Sequence, residues 1–108
     1  MNLQLGTLEE LILIILLMKE ETYGVEIAKE YKSQLSQSIS LPAIHVVLKR
    51  LEKKGFVNSR LGDPTPERGG KSKRLYKATN KGYEAALELQ QARNAMWKDI
   101  PTLNFSLS

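Results

Sequence analysis

The chain has 108 residues, 42% of them hydrophobic and 26% charged, with a net charge of +4, which predicts one ordinary globular unit with a modest core. With no cysteine and a single histidine, His45, disulfides, thiolate clusters and multi-histidine metal sites are excluded, and no metal or cofactor is expected. The apolar run Leu11 to Met18 is eight residues long, far short of the roughly 20 needed to cross a membrane, and no basic, small-residue-terminated leader precedes it, so a cytoplasmic protein without membrane contact is expected.

Residues 1–6 read as a lead-in. Thr7-Leu8-Glu9-Glu10 has the spacing of a capping box, with Thr7 as cap and Glu10 bonding back to it. The helix it opens runs to about Lys19. Its apolar residues, Leu8 and then Leu11 to Met18, occupy more than one face. Such a helix is buried on two sides. Either its own core covers one side and a partner subunit the other, or it is a central helix wholly inside one monomer. A second helix is predicted from Tyr23 to about Gln34, with Val25, Ile27, Ala28, Tyr31 and Leu35 as its buried side and Gly24 permitting close backbone approach. Ser33 to Ser38 reads as a loop and Ile39-Ser40 as a short strand.

Ser40 then caps a third helix, with Pro42 in its first turn, where a missing N–H is tolerated. Ile44, Val47, Leu48 and Leu51 recur at helical spacing and predict the core face. Pro42, Val46, Lys49, Arg50 and Lys53 lie opposite. A small, apolar and cationic surface of this kind suits a helix laid in a DNA major groove: cations for phosphates, Arg50 for a guanine edge, Val46 for a thymine methyl. Gly55 ends the helix. Phe56 to Leu61 reads as a strand with Val57 and Leu61 on one side. A turn-rich stretch, Gly62 to Ser72, leads to a return strand, Lys73 to Ala78. The connection is too long for a tight turn, so it projects as a basic wing suited to phosphates or the minor groove. Gly70-Lys71-Ser72 is not a nucleotide-binding loop: Thr65 stands where that motif needs glycine, and a strand follows where a helix should.

Thr79 caps a last helix from Asn80 to about Asp99, stopped by Pro101. It carries two stripes, Tyr83, Ala86, Leu87, Gln90 and Trp97 on one side and Ala85, Leu89, Ala92 and Met96 on another, which call for two neighbours and predict a dimer built from the first and last helices. The tail to Ser108 alternates Leu103, Phe105 and Leu107.

Charge is segregated along the chain. Lys49 to Lys81 holds eleven Lys and Arg against three acids, a net of +8, so the remainder sums to −4. A concentrated basic segment is an electrostatic footprint for a polyanion. The expected architecture is mainly α with a small β-hairpin: a winged helix-turn-helix over residues 1–79, a dimerisation helix at 80–99 and a tail at 100–108.

These residues resemble the PadR family of bacterial transcriptional regulators over roughly residues 5–98. Leu5-Gly6-Thr7-Leu8-Glu9 through Leu13 is similar to the family's opening helix, and Tyr23-Gly24-Val25-Glu26-Ile27 to its tyrosine-glycine signature. Leu48 to Val57 resembles the end of its recognition helix and the entry to its wing. Pro64 to Gly70 followed by Lys73-Arg74-Leu75-Tyr76 resembles the wing itself, and Thr79-Asn80-Lys81-Gly82 the start of the last helix. The resemblance implies a homodimeric repressor that binds a pseudo-palindromic operator in double-stranded DNA and is released by a small hydrophobic effector. In that reading Trp97 is the candidate for a ligand pocket, although a lone Trp at helical spacing also suits packing. The start of the recognition helix departs from the family pattern: Pro42 and His45 stand in place of glycine and tyrosine, and Leu75 in place of the first wing tyrosine.

The candidate DNA-binding residues are therefore Ser40, Pro42, Ala43, His45, Val46, Lys49, Arg50 and Lys53 on helix 41–54, with Arg68, Lys71, Lys73 and Arg74 on wing 62–74. The candidate dimer interface is Leu8, Leu11, Ile12, Ile15, Ala85, Leu89, Ala92 and Met96. No catalytic constellation is present, and no enzyme is expected. The competing reading is a winged-helix protein-interaction module without specific DNA binding, suggested by Pro42, Val46 and the apolar tail.

Overall fold

The computed structural model describes residues 5–63 and 72–101. The order is α1 (Thr7–Met18), α2 (Gly24–Leu35), α3 (Leu41–Lys53), β1 (Val57–Leu61), β2 (Arg74–Ala78) and α4 (Asn80–Lys98). The mainly α, winged helix-turn-helix expectation is met. The wing tip, residues 64–71, and the tail beyond Pro101 lie outside the described residues, and with them Arg68, Lys71 and the alternating apolar tail.

Helix α1 runs through the centre. Ile12, Leu13, Ile15 and Leu16 are buried at 0–3% exposure and pack with Ile27, Ile44, Leu48, Leu51, Phe56 and Val57. Its opening differs from expectation. The cap is Gly6, whose N–H donates to Glu9 Oε1 at 2.8 Å, one residue earlier than the Thr7–Glu10 box. Glu10 is unavailable for capping because it is turned into the seam with α4, where Arg93 meets it.

On α2 the inward residues are Ile27 and Tyr31. Val25 and Leu35, expected on that side, are exposed at 43% and 38%. The helix continues through Leu35 and closes on Ser36, which adopts the left-handed conformation (φ 55°). Ile39-Ser40 is irregular rather than a strand, and the Ile39 side chain packs on the core instead.

The two strands pair antiparallel, Val57 with Ala78 through to Leu61 with Arg74. The hairpin is covered unevenly: Val57 and Tyr76 are buried, whereas Leu61, expected on the side of Val57, is 60% exposed. Alternation sets which face a strand residue takes, but the hairpin runs out past the helices before Leu61 is reached. Thr22 adds a bridge on the far side of β2, its N–H donating to Tyr76 O at 3.1 Å and its carbonyl oxygen accepting from Tyr76 N–H at 2.7 Å.

The root of α4 is fixed by backbone. Thr79 Oγ1 accepts from Gly82 N–H at 3.0 Å and donates to Gly55 O at 2.8 Å, and Thr79 N–H donates to Phe56 O at 2.9 Å. Gly55 turns the chain there at φ 81°. A Cβ on Gly82 would lie 2.3 Å from Phe56 O, so this helical glycine is required by contact. From that corner α4 leaves the globule, and the molecule reaches 59 Å in its longest dimension.

An exposed helical Gly→Ala change stabilises by about 1 kcal/mol. Gly82→Ala should do the reverse, costing about 1–3 kcal/mol because the overpacked corner has to open. Urea unfolding of the variant and the wild type gives the sign directly.

Candidate nucleic-acid interface

Helix α3 presents the surface its sequence predicts. Ser40 Oγ accepts from Ala43 N–H at 3.2 Å and starts the helix. Ile44, Val47, Leu48 and Leu51 face the core. Ser40, Pro42, His45, Val46, Lys49, Arg50 and Lys53 are exposed, and Ala43 is half-covered. Among the described ion pairs, Lys19, Lys29, Lys54, Arg60 and Arg93 each meet a glutamate. None of those pairs uses Lys49, Arg50 or Lys53, so one helix face carries three cations turned to solvent.

Lys54, one residue beyond the helix, turns inward. Its Nζ donates to both oxygens of Glu9 at 2.8 and 3.0 Å, tying the end of α3 to the start of α1. Burial pushes the Glu9 carboxyl up, but Lys54, the Gly6 N–H and the nearby Arg50 charge outweigh it and hold the group below its ordinary value.

The hairpin is braced at three points, two in the connection between α1 and α2 and one on α3. The first is the Thr22 bridge to Tyr76. In the second, Arg60 grips Glu21 with two nitrogens, at 2.8 and 2.7 Å. The third runs from Arg74, which donates to Ser59 Oγ at 3.0 Å, on to Glu52 of α3, which accepts from Ser59 at 2.7 Å. Arg74 therefore stands beside the recognition surface on a chain of bonds anchored in α3. Lys73 is half-buried, its ammonium 3.7 Å from the centroid of the Tyr23 ring. The structure thus brings Lys73 and Arg74 to the α3 surface; Arg68 and Lys71 lie outside the described residues.

The sequence places Tyr23 at a helix start and in the tyrosine-glycine signature, without showing what it contacts. With Gly24, Val25, Leu41, His45, Lys73 and Arg74 it lines a shallow cavity of about 140 Å³. Lys73 and Tyr23 are fifty positions apart, and no local pattern in the chain links them.

A second depression, of about 440 Å³, lies between α1 and α4. Ile14 and Leu17 form one wall, and Tyr83, Ala86, Leu87 and Trp97 the other. Trp97 is 69% exposed and Met96 70%. The expected dimer residues divide. Leu8, Leu11, Ala85, Leu89 and Ala92 are half-buried. Ile12 and Ile15, by contrast, are wholly taken up by the monomer core and have no surface left for a partner. The uncovered side of α1 is instead Ile14 and Met18, with Leu17 half-covered. Glu10 lies at the edge of the groove with its side chain only 3% exposed, and Arg93 Nη1 comes within 2.6 Å of its Oε1.

A three-helix unit, an outward cationic helix and a braced antiparallel wing define a winged helix-turn-helix DNA-binding protein. The comparisons with known proteins agree. A family model described as transcriptional regulator PadR-like matches residues 12–88. A PadR family transcription regulator from Clostridium difficile is 28% identical, covers 86% of this chain and 93% of its own, and superposes with a TM-score of 0.70. A PadR-like regulator from Bacillus cereus is 26% identical, with 86% of each chain covered and a TM-score of 0.70. A PadR-like transcription factor from Bacteroides fragilis shares the fold, with a TM-score of 0.76 at 24% identity over 86% of this chain and 85% of its own. No curated protein sequence matches. The chain belongs to the PadR-like family of DNA-binding transcriptional regulators, a family of regulators rather than enzymes. Among the described residues no helix is long and apolar enough to cross a membrane.

The Glu9–Lys54 tie has a pH signature. A carboxyl held below its ordinary value of 4.5 contributes its full stabilisation above that value and loses it as pH falls through the depressed one. Glu9→Gln should be less stable than wild type at neutral pH, and the gap should narrow as the pH falls from 4.5 through the depressed value. Urea denaturation at several pH values measures it.

Proposed function

We propose that this chain is a homodimeric, sequence-specific repressor that lays helix 41–54 in the major groove and sets wing 62–74 on the backbone or minor groove. The observation that carries this reading is the exposed cationic face of α3, Lys49, Arg50 and Lys53, which no ion pair among the described residues engages, flanked by a hairpin that holds Lys73 and Arg74 alongside. Arg50 is the base reader, Lys49 and Lys53 are phosphate contacts, and Val46, 52% exposed, is the apolar contact. Residues 1–79 do the binding, and helix 80–99 joins two copies so that they meet a pseudo-palindromic operator.

The partner surface is Leu8, Leu11, Ala85, Leu89, Ala92 and Met96, widened by Ile14 and Met18. Two uncovered stripes on adjacent helices are supported by a second subunit more readily than by water. The Trp97-lined groove has the size and apolar walls of a small hydrophobic effector's site, and an effector there would act on the dimer rather than on the α3 surface.

Anisotropy with a labelled duplex from upstream of the protein's own gene, beside a scrambled duplex, tests the DNA reading. Arg50→Ala should lose about 1–3 kcal/mol on the operator and much of its preference over the scramble, whereas Lys49→Ala should weaken both duplexes and lower the salt slope by about 1. Unchanged affinity in both variants would sink the assignment. Salt-insensitive behaviour, with no binding to either duplex, would favour a protein-interaction module acting through Pro42 and Val46.

Sedimentation tests the partner surface. Met96→Glu combined with Ile14→Glu should convert a dimer to a folded monomer with unchanged helical circular dichroism, since both side chains are exposed.

A further inference from the structure

We propose that the shallow cavity between the start of α2, His45 of α3 and Lys73–Arg74 of the hairpin seats one backbone phosphate of the duplex, and that His45 takes up a proton as the phosphate docks. The inference rests on the DNA-binding reading above and adds a chemical dependence to it.

Four features converge there. Lys73 and Arg74 supply two cations, with Lys73 held in place over the Tyr23 ring. His45 is exposed on α3 and reaches across to α2: a Cβ on Gly24 would sit 3.2 Å from its Nε2. Glycine at that position leaves the imidazole room against the helix start. The first turn of α2 borders the cavity through Gly24 and Val25, and its N–H groups have no acceptor within the helix.

The charged and titratable neighbours come from every packed element. The hairpin contributes Lys73 and Arg74. Lys49 follows one turn along α3. Helix α2 brings Tyr23 and, behind it, Glu26, whose Oε1 is engaged by the Tyr23 hydroxyl at 3.2 Å and by Lys29 at 3.5 Å. An anion in the cavity therefore meets mostly cations and donors. Imidazole is the side chain whose charge ordinarily changes between about pH 5 and 8. A phosphate within reach of Nε2 favours the charged, doubly donating form. Binding and proton uptake are then linked: lower pH tightens DNA binding, and DNA binding draws in a proton.

Calorimetry at about pH 6.5 in two buffers of different ionisation enthalpy reads the uptake, and anisotropy from about pH 5.5 to 8 at fixed salt reads the affinity. Wild type should take up a sizeable fraction of one proton per protomer. Its affinity should fall roughly tenfold across that range, the scale of one hydrogen bond to a charged group. His45→Gln keeps a polar side chain at an exposed position; it should show no uptake attributable to this site and a flat profile, subtracting any titration of the amino terminus. Lys73→Gln should bind more weakly yet keep the uptake. Because His45 is the only histidine, its proton NMR line should report the same charge change on adding duplex. Operator binding with no proton uptake, or equal uptake in wild type and His45→Gln, would overturn the inference and leave the DNA-binding reading standing. Failure of both proteins to bind any duplex at low salt would overturn the reading itself, and the inference with it.

Discussion

Everything in this molecule is arranged around the burial of α1. Ile12, Leu13 and Leu16 are among its largest fully buried side chains, and each removes enough apolar surface from water to contribute about 1.5–3 kcal/mol. The other helices and the hairpin pack against them. At one end of the same helix two consecutive glutamates point different ways. Glu9 is locked to Lys54 just past α3, and Glu10 meets Arg93 on α4. One turn of helix therefore reaches both α3 and α4. A buried ion pair contributes little net stability on its own, but breaking one strands a charge, so these pairs hold geometry more than they add to folding.

The contrast between paired and unpaired cations organises the surface. Lys54 and Arg60 are tied to glutamates and serve the scaffold. Lys49, Arg50 and Lys53 have no such tie among the described residues, and they occupy one exposed helix face. Net charge alone would not separate these roles, since all five residues fall in the same basic segment. Arg74 lies between the two classes, braced through Ser59 to Glu52 yet placed beside the cavity with His45. If Arg74 contacts DNA as proposed, such bracing would reduce the ordering cost of association.

What the sequence made legible was local. Ser40 and Thr79 cap the helices they precede, Gly55 turns where a positive φ is needed, and the 3.6-residue recurrence of Ile44, Val47, Leu48 and Leu51 identifies the core face of α3. Misreadings arise where an element outruns its neighbours. Leu61, Val25 and Leu35 sit on plausible inward positions, but nothing is there to cover them. The Thr7–Glu10 box satisfied a spacing rule and lost to tertiary demand, because Glu10 was required at Arg93 and Glu9 could cap Gly6 instead. Ile12 and Ile15 show the limit from the other side: an all-round apolar helix does not reveal which of its faces the monomer keeps. The cavity beneath Tyr23 joins residues from three elements and has no signature in the chain order.

The contact between Gly82 and the Phe56 carbonyl gives the arm an unusual kind of root. Side-chain packing can yield by changing rotamer, but a backbone resting on a backbone cannot. The direction in which α4 leaves the DNA-binding unit is thus set like a lever pinned at its fulcrum. In the proposed dimer, the separation and tilt of the two α3 helices would follow from that angle multiplied along the arm. On the proposed dimer reading, the corner where Gly55, Phe56, Thr79 and Gly82 meet would act as a ruler for the distance between operator half-sites.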